Sequence, residues 1–214
     1  MIGVVVPAHN EERALGACLH ALQRAAANPR LQGEAVRIVV VLDDCSDHSA
    51  RIANAAGVQT IAVMCRNVGK ARATGAEALL REDARWLAFT DADSVVATDW
   101  LADQLSLEAE VVCGSVAVAW PPGSEALRRS YERFYCDRDG HQHIHGANLG
   151  LTGHAYRKAG GFPPLACRED VALVQALVRL DARIAWSARP RVQTSARRQG
   201  KLSGGFADYL TALA

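Results

Sequence analysis

Short apolar runs alternate with longer amphipathic stretches through the first half of the chain. Runs of mainly apolar residues are typical of strands buried on both faces, and four of them occupy residues 2–6, 38–42, 58–63 and 86–89. The spacing of apolar side chains between these runs predicts helices over residues 11–27, 49–56 and 70–80. Strands that alternate with helices imply right-handed crossovers, so we expect a parallel sheet covered by helices.

The alternation continues into the second half and then ends. A helix over residues 98–107 and a strand over residues 111–118 precede a Trp-Pro-Pro-Gly sequence at residues 120–123. A charged helix near residues 125–138, a segment rich in His and Gly, and an apolar helix over residues 170–180 follow. Since no repeat or low-complexity linker interrupts the chain, we expect one α/β domain over residues 1–214, with a Rossmann-like, mixed and mainly parallel sheet flanked by helices.

The composition fits one compact domain and excludes some partners. Of the 214 residues, 50% are hydrophobic and 22% are charged, which is enough apolar material for a sizeable core. The formal net charge is +1, so we expect no nucleic-acid partner, and any anion site must be local. Scattered cysteines, no secretory leader and no membrane-length apolar run predict a cytoplasmic protein, and they leave peripheral contact with the inner face of a membrane open.

Three common motifs are absent from the sequence. A Gly-X-Gly-X-X-Gly after the first strand and a Gly-Lys-Ser/Thr phosphate loop are missing, which disfavours dinucleotide dehydrogenases and P-loop enzymes. The Gly-X-Ser-X-Gly elbow of serine hydrolases is missing too. The candidate chemistry therefore rests on charged residues at the ends of predicted strands, where open α/β sheets bind ligands.

The most informative of these strand ends carries Asp91 and Asp93 directly after an apolar run. In an extended backbone, side chains two residues apart point to the same side, so both carboxylates can share one hard divalent cation. The alternative is that the pair only forms a turn and a helix cap, which Asp favours as well. Further charged groups at the other predicted strand ends favour the binding site.

Several motifs occur in an order that resembles glycosyltransferase family two over nearly the whole chain. They are Pro-Ala-His-Asn-Glu-Glu at 7–12, Asp-Asp at 43–44, Asn-Val-Gly-Lys-Ala-Arg at 67–72, Asp-Ala-Asp at 91–93, Gly-Gly-Phe at 160–162 and Glu-Asp-Val at 169–171. The resemblance implies the nucleotide-diphospho-sugar transferase fold of the GT-A type. It also implies a nucleotide-sugar-binding half over residues 1–95 and an acceptor-side half over residues 96–214 that ends in a basic segment.

For the nucleoside, the resemblance implies that Pro7, Ala8 and Glu11 line its slot and that Asp43 or Asp44 accepts a hydrogen bond from the base. A carboxylate suits the imide N–H of uracil, which favours a UDP-linked donor. The sequence at residues 43–47 is one residue shorter than the common Asp-Asp-Gly-Ser-Thr-Asp pattern of the family, so both aspartates stay open. The alternative for Glu11 is that it opens a helix, where acidic residues complement the helix dipole.

Two basic groups are candidates for the donor diphosphate. Arg66, Lys70 and Arg72 lie in the loop and helix start before the acidic strand, and the resemblance points to Arg72 first. Arg197 and Arg198 belong to the basic segment near the C-terminus, which in similar transferases folds over the diphosphate. The alternative for each of these side chains is an ordinary solvated basic face.

For the metal and the reaction, the resemblance implies Asp93 as a ligand of Mg²⁺ or Mn²⁺, with Asp91 serving both the ion and the ribose. Donor phosphates and water would complete the coordination shell. The resemblance also implies Asp170 as the general base and Glu169 as a residue that binds or orients the acceptor. Capping of the helix that follows is the alternative for both residues.

The acceptor side is expected at a small segment after the alternating histidines. His141, His143 and His145 could bind zinc from one strand face, but no further ligand at suitable spacing completes a site. By resemblance, the acceptor-side floor consists of His145, Gly146, Ala147 and Asn148. Gly160 and Gly161 predict a tight turn with Phe162 in the core. Phe206, Tyr209 and Leu210 predict a short amphipathic end that packs on the body, a partner or a membrane surface.

These expectations lead to a metal-dependent glycosyltransferase that moves a sugar from a nucleoside diphosphate sugar to a hydroxyl acceptor with inversion. Two alternatives stay open. A nucleotidyltransferase acting on a sugar phosphate also brings acidic residues to a metal and a triphosphate, although its usual glycine-rich first loop is missing here. A catalytically silent module that only binds sugar nucleotides would need the same nucleoside slot.

Overall fold

The computed structural model describes residues 1–197 and 205–212. Strands and helices alternate through the first half as expected. The elements of this half are β1 (Ile2–Ala8), α1 (Leu15–Ala26), β2 (Val36–Asp43), α2 (Ser49–Ala55), β3 (Gln59–Val63), α3 (Val68–Arg81), β4 (Trp86–Phe89) and β5 (Ser94–Val96). Gly57 ends the α2 segment with a φ of 68°, a value that few other residues adopt without strain.

Shorter elements make up the second half. They are α4 (Trp100–Ser106), β6 (Val111–Gly114), β7 (Ala117–Ala119), α5 (Glu125–Phe134), β8 (Leu149–Thr152), α6 (Gly153–Lys158), α7 (Glu169–Arg179), β9 (Ile184–Ser187), β10 (Val192–Ser195) and α8 (Phe206–Ala212). None of the described helices combines the length and the apolar character that crossing a membrane requires.

A seven-stranded sheet in the order β3-β2-β1-β4-β8-β6-β9 forms the centre of the molecule. Within it, β8 runs antiparallel to both of its neighbours and the other pairs are parallel. The predicted mixed, mainly parallel α/β sheet is therefore confirmed. A second sheet of three strands, β5-β10-β7, lies beside it. Because β8 is reversed, its first residue lies at the same edge of the sheet as the last residues of β1, β2 and β4.

Helices cover both faces of the large sheet. On one face α1 and α4 pack through Leu15, Leu19 and Trp100, and on the other α3 and α7 pack through Leu79 and Leu173. Each of these five side chains is at most 1% exposed. The apolar runs of the central strands are thus buried on both faces, which is why they carry no alternating polar residues.

The predicted elements that differ from the structure include one strand and one helix. The strand expected over residues 111–118 is two strands in different sheets, because the Ser115 carbonyl accepts a hydrogen bond from the Asn148 side chain (2.7 Å) between them. The helix expected over residues 11–27 begins only at Leu15, and its first turn has no side-chain cap. Glu11 lies before the helix: its carbonyl accepts a hydrogen bond from Leu15 N–H (2.9 Å), and its carboxylate binds Arg197.

Helix α8 packs on the body of the protein. Leu210 is fully buried against Val118 and Tyr131, and the Phe206 ring meets the Tyr131 ring edge-on at 6.1 Å. Of the three outcomes left open for this amphipathic end, the structure shows packing on the body. The side chain of Tyr209 lies outside the described part of the chain.

The first turn of α3 is joined to residues 163–165 through main-chain groups. Gly69 N–H donates to the Leu165 carbonyl at 3.0 Å, and a side chain at Gly69 would collide with the carbonyls of Pro163 and Leu165. The Asn67 side chain adds a hydrogen bond to the Pro164 carbonyl at 3.1 Å. This contact fixes the segment that leads into α7 relative to α3.

Candidate active site

A cavity of about 410 Å³ opens at the carboxyl ends of β1, β2 and β4. Most of the residues singled out in the sequence line it. These residues are Pro7, Ala8, Glu11, Asp43, Arg66, Arg72, Asp91, Asp93, His145, Gly146, Ala147, Glu169, Asp170 and Arg197. Open α/β sheets bind ligands at this edge, so the cavity is the candidate active site.

The acidic turn that follows β4 forms one side of the cavity. Asp91 and Asp93 lie in a turn closed by a hydrogen bond from Ser94 N–H to the Asp91 carbonyl (3.0 Å), rather than on the extended strand that we expected. Both side chains nevertheless line the cavity. Burial, followed by the charge of Asp91, raises the pKa of Asp93 to about 6, although Arg197 acts in the opposite direction.

A guanidinium group occupies the space between the acidic turn and the end of β1. Arg197 donates to Glu11 at 2.7 Å and approaches the Asp93 carboxylate at 3.3 Å. Its side chain is 36% exposed, whereas those of Asp93 and Glu11 are 11% and 10% exposed. A positive group thus already lies against Asp93, which shows that this position favours a cation.

Arg72 is buried beneath the cavity. Its guanidinium forms charge-assisted hydrogen bonds with Asp91 on one side and with Glu169 on the other. Only 3% of Arg72 is exposed, and the guanidinium lies 5.8 Å from the centre of the Phe162 ring. The acidic turn and the first residue of α7 are therefore joined through one side chain.

The start of α7 forms the opposite side of the cavity. Arg168, the residue before the helix, adopts a φ of 61° and turns the chain into the first helical residue. Asp170 accepts hydrogen bonds from Gly146 N–H (2.6 Å) and Val171 N–H (2.8 Å), which fix the orientation of its carboxylate. Arg168 at the N-cap position provides no side-chain cap, and both Glu169 and Asp170 lie in the first turn of the helix.

Asp43 organises the wall at the end of β2. Its two carboxylate oxygens accept hydrogen bonds from the backbone N–H groups of Cys65, Arg66 and Asn67 at 2.7–2.8 Å. Asp43 is 4% exposed, so the wall is held from beneath. The side chain of Arg66 extends from this wall and contacts His9 and Asp44.

A histidine and a tyrosine form a hydrogen-bonded pair on the acceptor side. Tyr135 OH accepts from Val116 N–H at 2.7 Å and lies 3.0 Å from Nε2 of His145. The phenol and the imidazole share one hydrogen bond, in which the donor is set by the tautomer of His145. Burial, helped by the neighbouring histidines, lowers the pKa of His145 to about 3, so the ring is neutral.

The three histidines do not converge on one point. Their rings stack along the segment, with centroids 5.4 Å apart for His141 and His143 and 5.9 Å apart for His143 and His145. His141 and His143 accept backbone hydrogen bonds through one ring nitrogen each. Within residues 1–197 and 205–212, no group of three His, Cys, Asp or Glu side chains is arranged to hold a metal on its own.

Three predicted site residues do not line the cavity. Lys70 and Asp44 are exposed beside it, and Asn148 is fully buried behind it. The Asn148 side chain donates to the carbonyls of Ser115 and Pro190 and accepts from the Trp100 indole at 2.8 Å. Its hydrogen-bonding groups are thus occupied within the core, and it is no part of the acceptor-side floor. Arg198 lies outside the described residues.

Sequence reasoning missed several residues of the site. Tyr135 positions His145, and Asn67, Thr194 and Phe206 line the cavity. Asn67 belongs to a motif that was already recognised, so its place could have been inferred. Tyr135 carries no signal in the sequence, because its contact with His145 depends on how the chain after α5 folds back.

The acidic turn fits a divalent cation in part. Two carboxylates on one turn are the oxygen ligands that Mg²⁺ and Mn²⁺ prefer, and the guanidinium beside Asp93 shows that positive charge is favoured there. Two side chains leave most of the coordination shell to phosphate oxygens and water. The donor set therefore suits a cation that binds together with a diphosphate.

Comparison with known proteins identifies relatives by sequence pattern and by fold. The family model described as Glycosyl transferase family 2 matches residues 3–150. A fragment of S. aureus TarS in complex with UDP-GlcNAc superposes with a TM-score of 0.69 at 17% identity, over 96% of this chain and 61% of that one. The mannosyltransferase PcManGT from Pyrobaculum calidifontis, in complex with GDP-Man and Mn²⁺, superposes with a TM-score of 0.68 at 17% identity, over 94% of this chain and 58% of that one.

These similarities have a limited reach. The chain spans about 60% of the length of these two structural neighbours, so it matches only part of each. At this level of identity the superpositions establish the GT-A type fold and nothing about substrates. No curated protein sequence matches the chain.

Proposed function

The chain belongs to glycosyl transferase family 2, and we propose that it transfers a sugar from a nucleoside diphosphate sugar to a hydroxyl acceptor. One observation carries the proposal: the acidic turn and the Glu169–Asp170 pair face each other across a single cavity at the carboxyl edge of the sheet. A donor bound between them would have its diphosphate at the turn and its sugar toward Asp170. The solved neighbours with UDP-GlcNAc and GDP-Man make a donor of this class the first to test.

The nucleoside is assigned to the wall that Asp43 organises. Pro7, Ala8 and Glu11 line the cavity beside this wall, and Arg66 extends from it. Three of the four lone-pair positions on the Asp43 carboxylate are used by backbone N–H groups, which leaves one for the base. Asp44 points away toward Arg66, so of the two aspartates Asp43 is the one that the geometry favours. We keep a uridine nucleotide as the proposed donor on this basis.

Metal dependence is part of the proposal. Asp93 and Asp91 would hold Mg²⁺ or Mn²⁺, and the bound ion would neutralise charge that develops on the departing diphosphate. Arg197 is the side chain placed to contact the diphosphate from the C-terminal segment, because it already lies at the acidic turn. Lys70 is not needed for this part of the site, since its side chain does not reach the cavity.

Asp170 is proposed as the general base. Its carboxylate takes the proton of the acceptor hydroxyl while the hydroxyl oxygen forms a bond to the anomeric carbon. The bond between that carbon and the diphosphate oxygen breaks, and the nucleoside diphosphate leaves with the electron pair. A single displacement of this kind inverts the anomeric centre. The hydrogen bonds from Gly146 and Val171 support this role, because they hold the carboxylate in one orientation.

The acceptor is assigned to the side of the cavity that His145, Gly146 and Ala147 line, with Glu169 beneath it. Neutral His145 offers its other ring nitrogen, Nδ1, for a hydrogen bond with a hydroxyl group of the acceptor. No nucleic acid is proposed as a partner, since the net charge of +1 gives no basic surface to expect one from. A cytoplasmic location, at or near the inner face of a membrane, stays a prediction from the sequence.

The test is a screen of nucleoside diphosphate sugars with Mg²⁺ and with Mn²⁺, in which release of nucleoside diphosphate is measured with water as the default acceptor. Asp93→Asn and Asp170→Asn should each lower the rate about 100-fold or more, because each removes a charge that the transition state needs. Asp83→Asn is the matched control, since Asp83 is exposed, lies far from the cavity and has a φ of 59° that Asn tolerates equally well.

Other outcomes would point to the alternatives. Release of pyrophosphate from a nucleoside triphosphate and a sugar phosphate would indicate a nucleotidyltransferase. Donor binding without release of nucleoside diphosphate, in the presence of either cation, would indicate a module that only binds sugar nucleotides.

A further inference from the structure

Arg72 occupies a position that does not suit a ligand of the donor diphosphate. Both terminal nitrogens of its guanidinium are already bound, one to Asp91 and one to Glu169, and the group is 3% exposed. Its third nitrogen, Nε, is buried without a hydrogen-bond partner among the described residues. The side chain is therefore committed to two carboxylates of the protein rather than directed at a ligand.

Gly146 makes this arrangement possible in two independent ways. A Cβ atom at residue 146 would collide with the Arg72 guanidinium, so only glycine leaves room for it. The N–H of the same residue donates to Asp170 at 2.6 Å. The guanidinium and the proposed base are thus both fixed against one short stretch of backbone just before β8.

We propose that Arg72 is a positioning residue that fixes the acidic turn and the start of α7 relative to each other across the cavity. The inference rests on the proposed function, because the proposed function assigns the cation to the acidic turn and the general base to the start of α7. Arg72 itself contacts neither donor nor acceptor. It acts through Asp91 and Glu169, whose carboxylates it fixes.

Electrostatics explains why this residue has to be an arginine. Asp91 and Glu169 each lie within two residues of another proposed site carboxylate, Asp93 and Asp170, and all four line one cavity. Without a positive charge between them, the two sides of the cavity would repel each other. A planar guanidinium can bind two carboxylates at fixed angles, whereas a lysine ammonium is a point charge on a flexible stem. Loss of one partner of a buried ion pair leaves an uncompensated buried charge.

Changing Arg72 should affect the rate of turnover without affecting the affinity for the donor. The contacts of Asp43, Arg66 and Arg197 do not involve Arg72, so the nucleoside wall and the arginine assigned to the diphosphate stay in place when it is changed. Of the two proposed cation ligands, Asp91 loses its arginine partner, whereas Asp93 keeps Arg197. The distance between the cation side and the base does change. We therefore expect Arg72 variants to bind the donor and to turn it over slowly.

The experiment compares Arg72→Lys and Arg72→Gln with wild type, using titration calorimetry with UDP-sugar and Mn²⁺ and the rate of UDP release at saturating donor. The dissociation constant should stay within about 3-fold, and the rate should fall about 10-fold for Lys and about 100-fold for Gln. Arg81→Gln is the matched control, because Arg81 is an exposed arginine at the far end of the same helix and does not line the cavity.

Gly146→Ala is an independent perturbation that leaves Arg72 itself unchanged. The added methyl group displaces the guanidinium, so this variant should show the same loss of rate at nearly constant donor affinity. If Arg72→Gln fails to fold, Arg72→Lys and Gly146→Ala decide the question. A rise of 10-fold or more in the dissociation constant with an unchanged saturated rate would make Arg72 a donor ligand and overturn the proposal, as would no change in either quantity.

A measurement without donor separates this inference from the proposed function. The urea midpoint of unfolding is compared for Arg72→Gln, Glu169→Gln and the double variant. If Arg72 joins the two sides, the double variant should lose clearly less than the sum of the two single losses. Additive losses would refute the coupling even if the wild-type protein turns over a donor. Failure of wild type to bind any donor, together with non-additive losses, would refute the proposed function and leave the coupling intact.

Discussion

Replacement of Asn148 tests whether this residue belongs to the core or to the acceptor side of the cavity. Its side chain is fully buried and makes three hydrogen bonds, with Ser115, Pro190 and Trp100. In Asn148→Ala the two donated hydrogen bonds are lost at ~1 kcal/mol each, and the buried indole N–H left without an acceptor costs ~1–3 kcal/mol. The free energy of unfolding should therefore fall by about 3–5 kcal/mol.

Asn148→Asp sharpens the test. The carboxylate can still accept from Trp100, but it directs negative charge at the carbonyls of Ser115 and Pro190, which have lost their donor. Asp should therefore destabilise the protein at least as much as Ala. An asparagine that faced a solvated acceptor site would tolerate the same change, because an exposed carboxylate keeps its water.

Urea unfolding followed by tryptophan fluorescence measures both variants, with the midpoint and the slope fitted separately. Asn54→Ala is the control, since Asn54 is exposed on α2 and its side chain accepts a long hydrogen bond from Thr60 at 3.5 Å. This control should stay within about 0.5 kcal/mol of wild type. A loss below about 1 kcal/mol for Asn148→Ala would refute the core role.

Two further predictions concern charged groups of the cavity. The pKa of His145 is about 3 in the folded protein, whereas its ordinary value is 6.5. Below pH 6.5 the unfolded chain therefore takes up a proton that the folded chain does not, so the free energy of unfolding falls as the pH falls. Wild type should lose about 2 kcal/mol more than His145→Gln between pH 6.5 and 4.5 in urea unfolding, and parallel profiles would contradict this. Arg197→Gln removes the positive group beside Asp93, so Mn²⁺ should bind the donor-free protein several-fold more tightly in paramagnetic-resonance titrations while UDP binding weakens. A decrease in both the Mn²⁺ and the UDP affinity would contradict the view that the Arg197 guanidinium occupies the position of a cation.

The first half of the fold follows from local patterns. The run at residues 86–89 matches β4 in full, and the other three runs match β1, β2 and β3 within a few residues. Strands β1, β2 and β4 lie inside the sheet, so their runs are apolar on both faces and the signal does not depend on distant partners, whereas β3 lies at the edge and is only half-buried. The turn at Gly160 and Gly161 is confirmed by φ values of 82° and 75°, and Phe162 is 5% exposed in the core.

The second half depends on contacts that no local pattern contains. Residues 111–118 read as one strand, but Asn148 fits against Gly114 and takes the Ser115 carbonyl, which ends β6 before β7 begins. The charged helix ends at Phe134 rather than near residue 138, because Tyr135 leaves the helix and its hydroxyl binds Val116 N–H. In each case a side chain from a distant part of the sequence replaces a backbone partner.

The active site, too, has features that local motifs predict and features that depend on distant contacts. The motifs predicted which carboxylates meet at the sheet edge, since strand ends converge there. They did not predict that Glu11 and Asp93 share Arg197, which lies 186 residues from Glu11 in the sequence. Nor did they predict that Arg72 turns inward, which requires the space left by Gly146.

Residues 163–165 contact α3 through their main-chain carbonyls, which accept hydrogen bonds from Gly69 N–H and the Asn67 side-chain amide. This contact does not depend on the side chains of residues 163–165, and that of Leu165 is 43% exposed. The surface of this segment can therefore diversify, by mutation or by design, without shifting the helix that carries Asp170. A transferase built in this way can change this part of its surface while the geometry of its active site is kept.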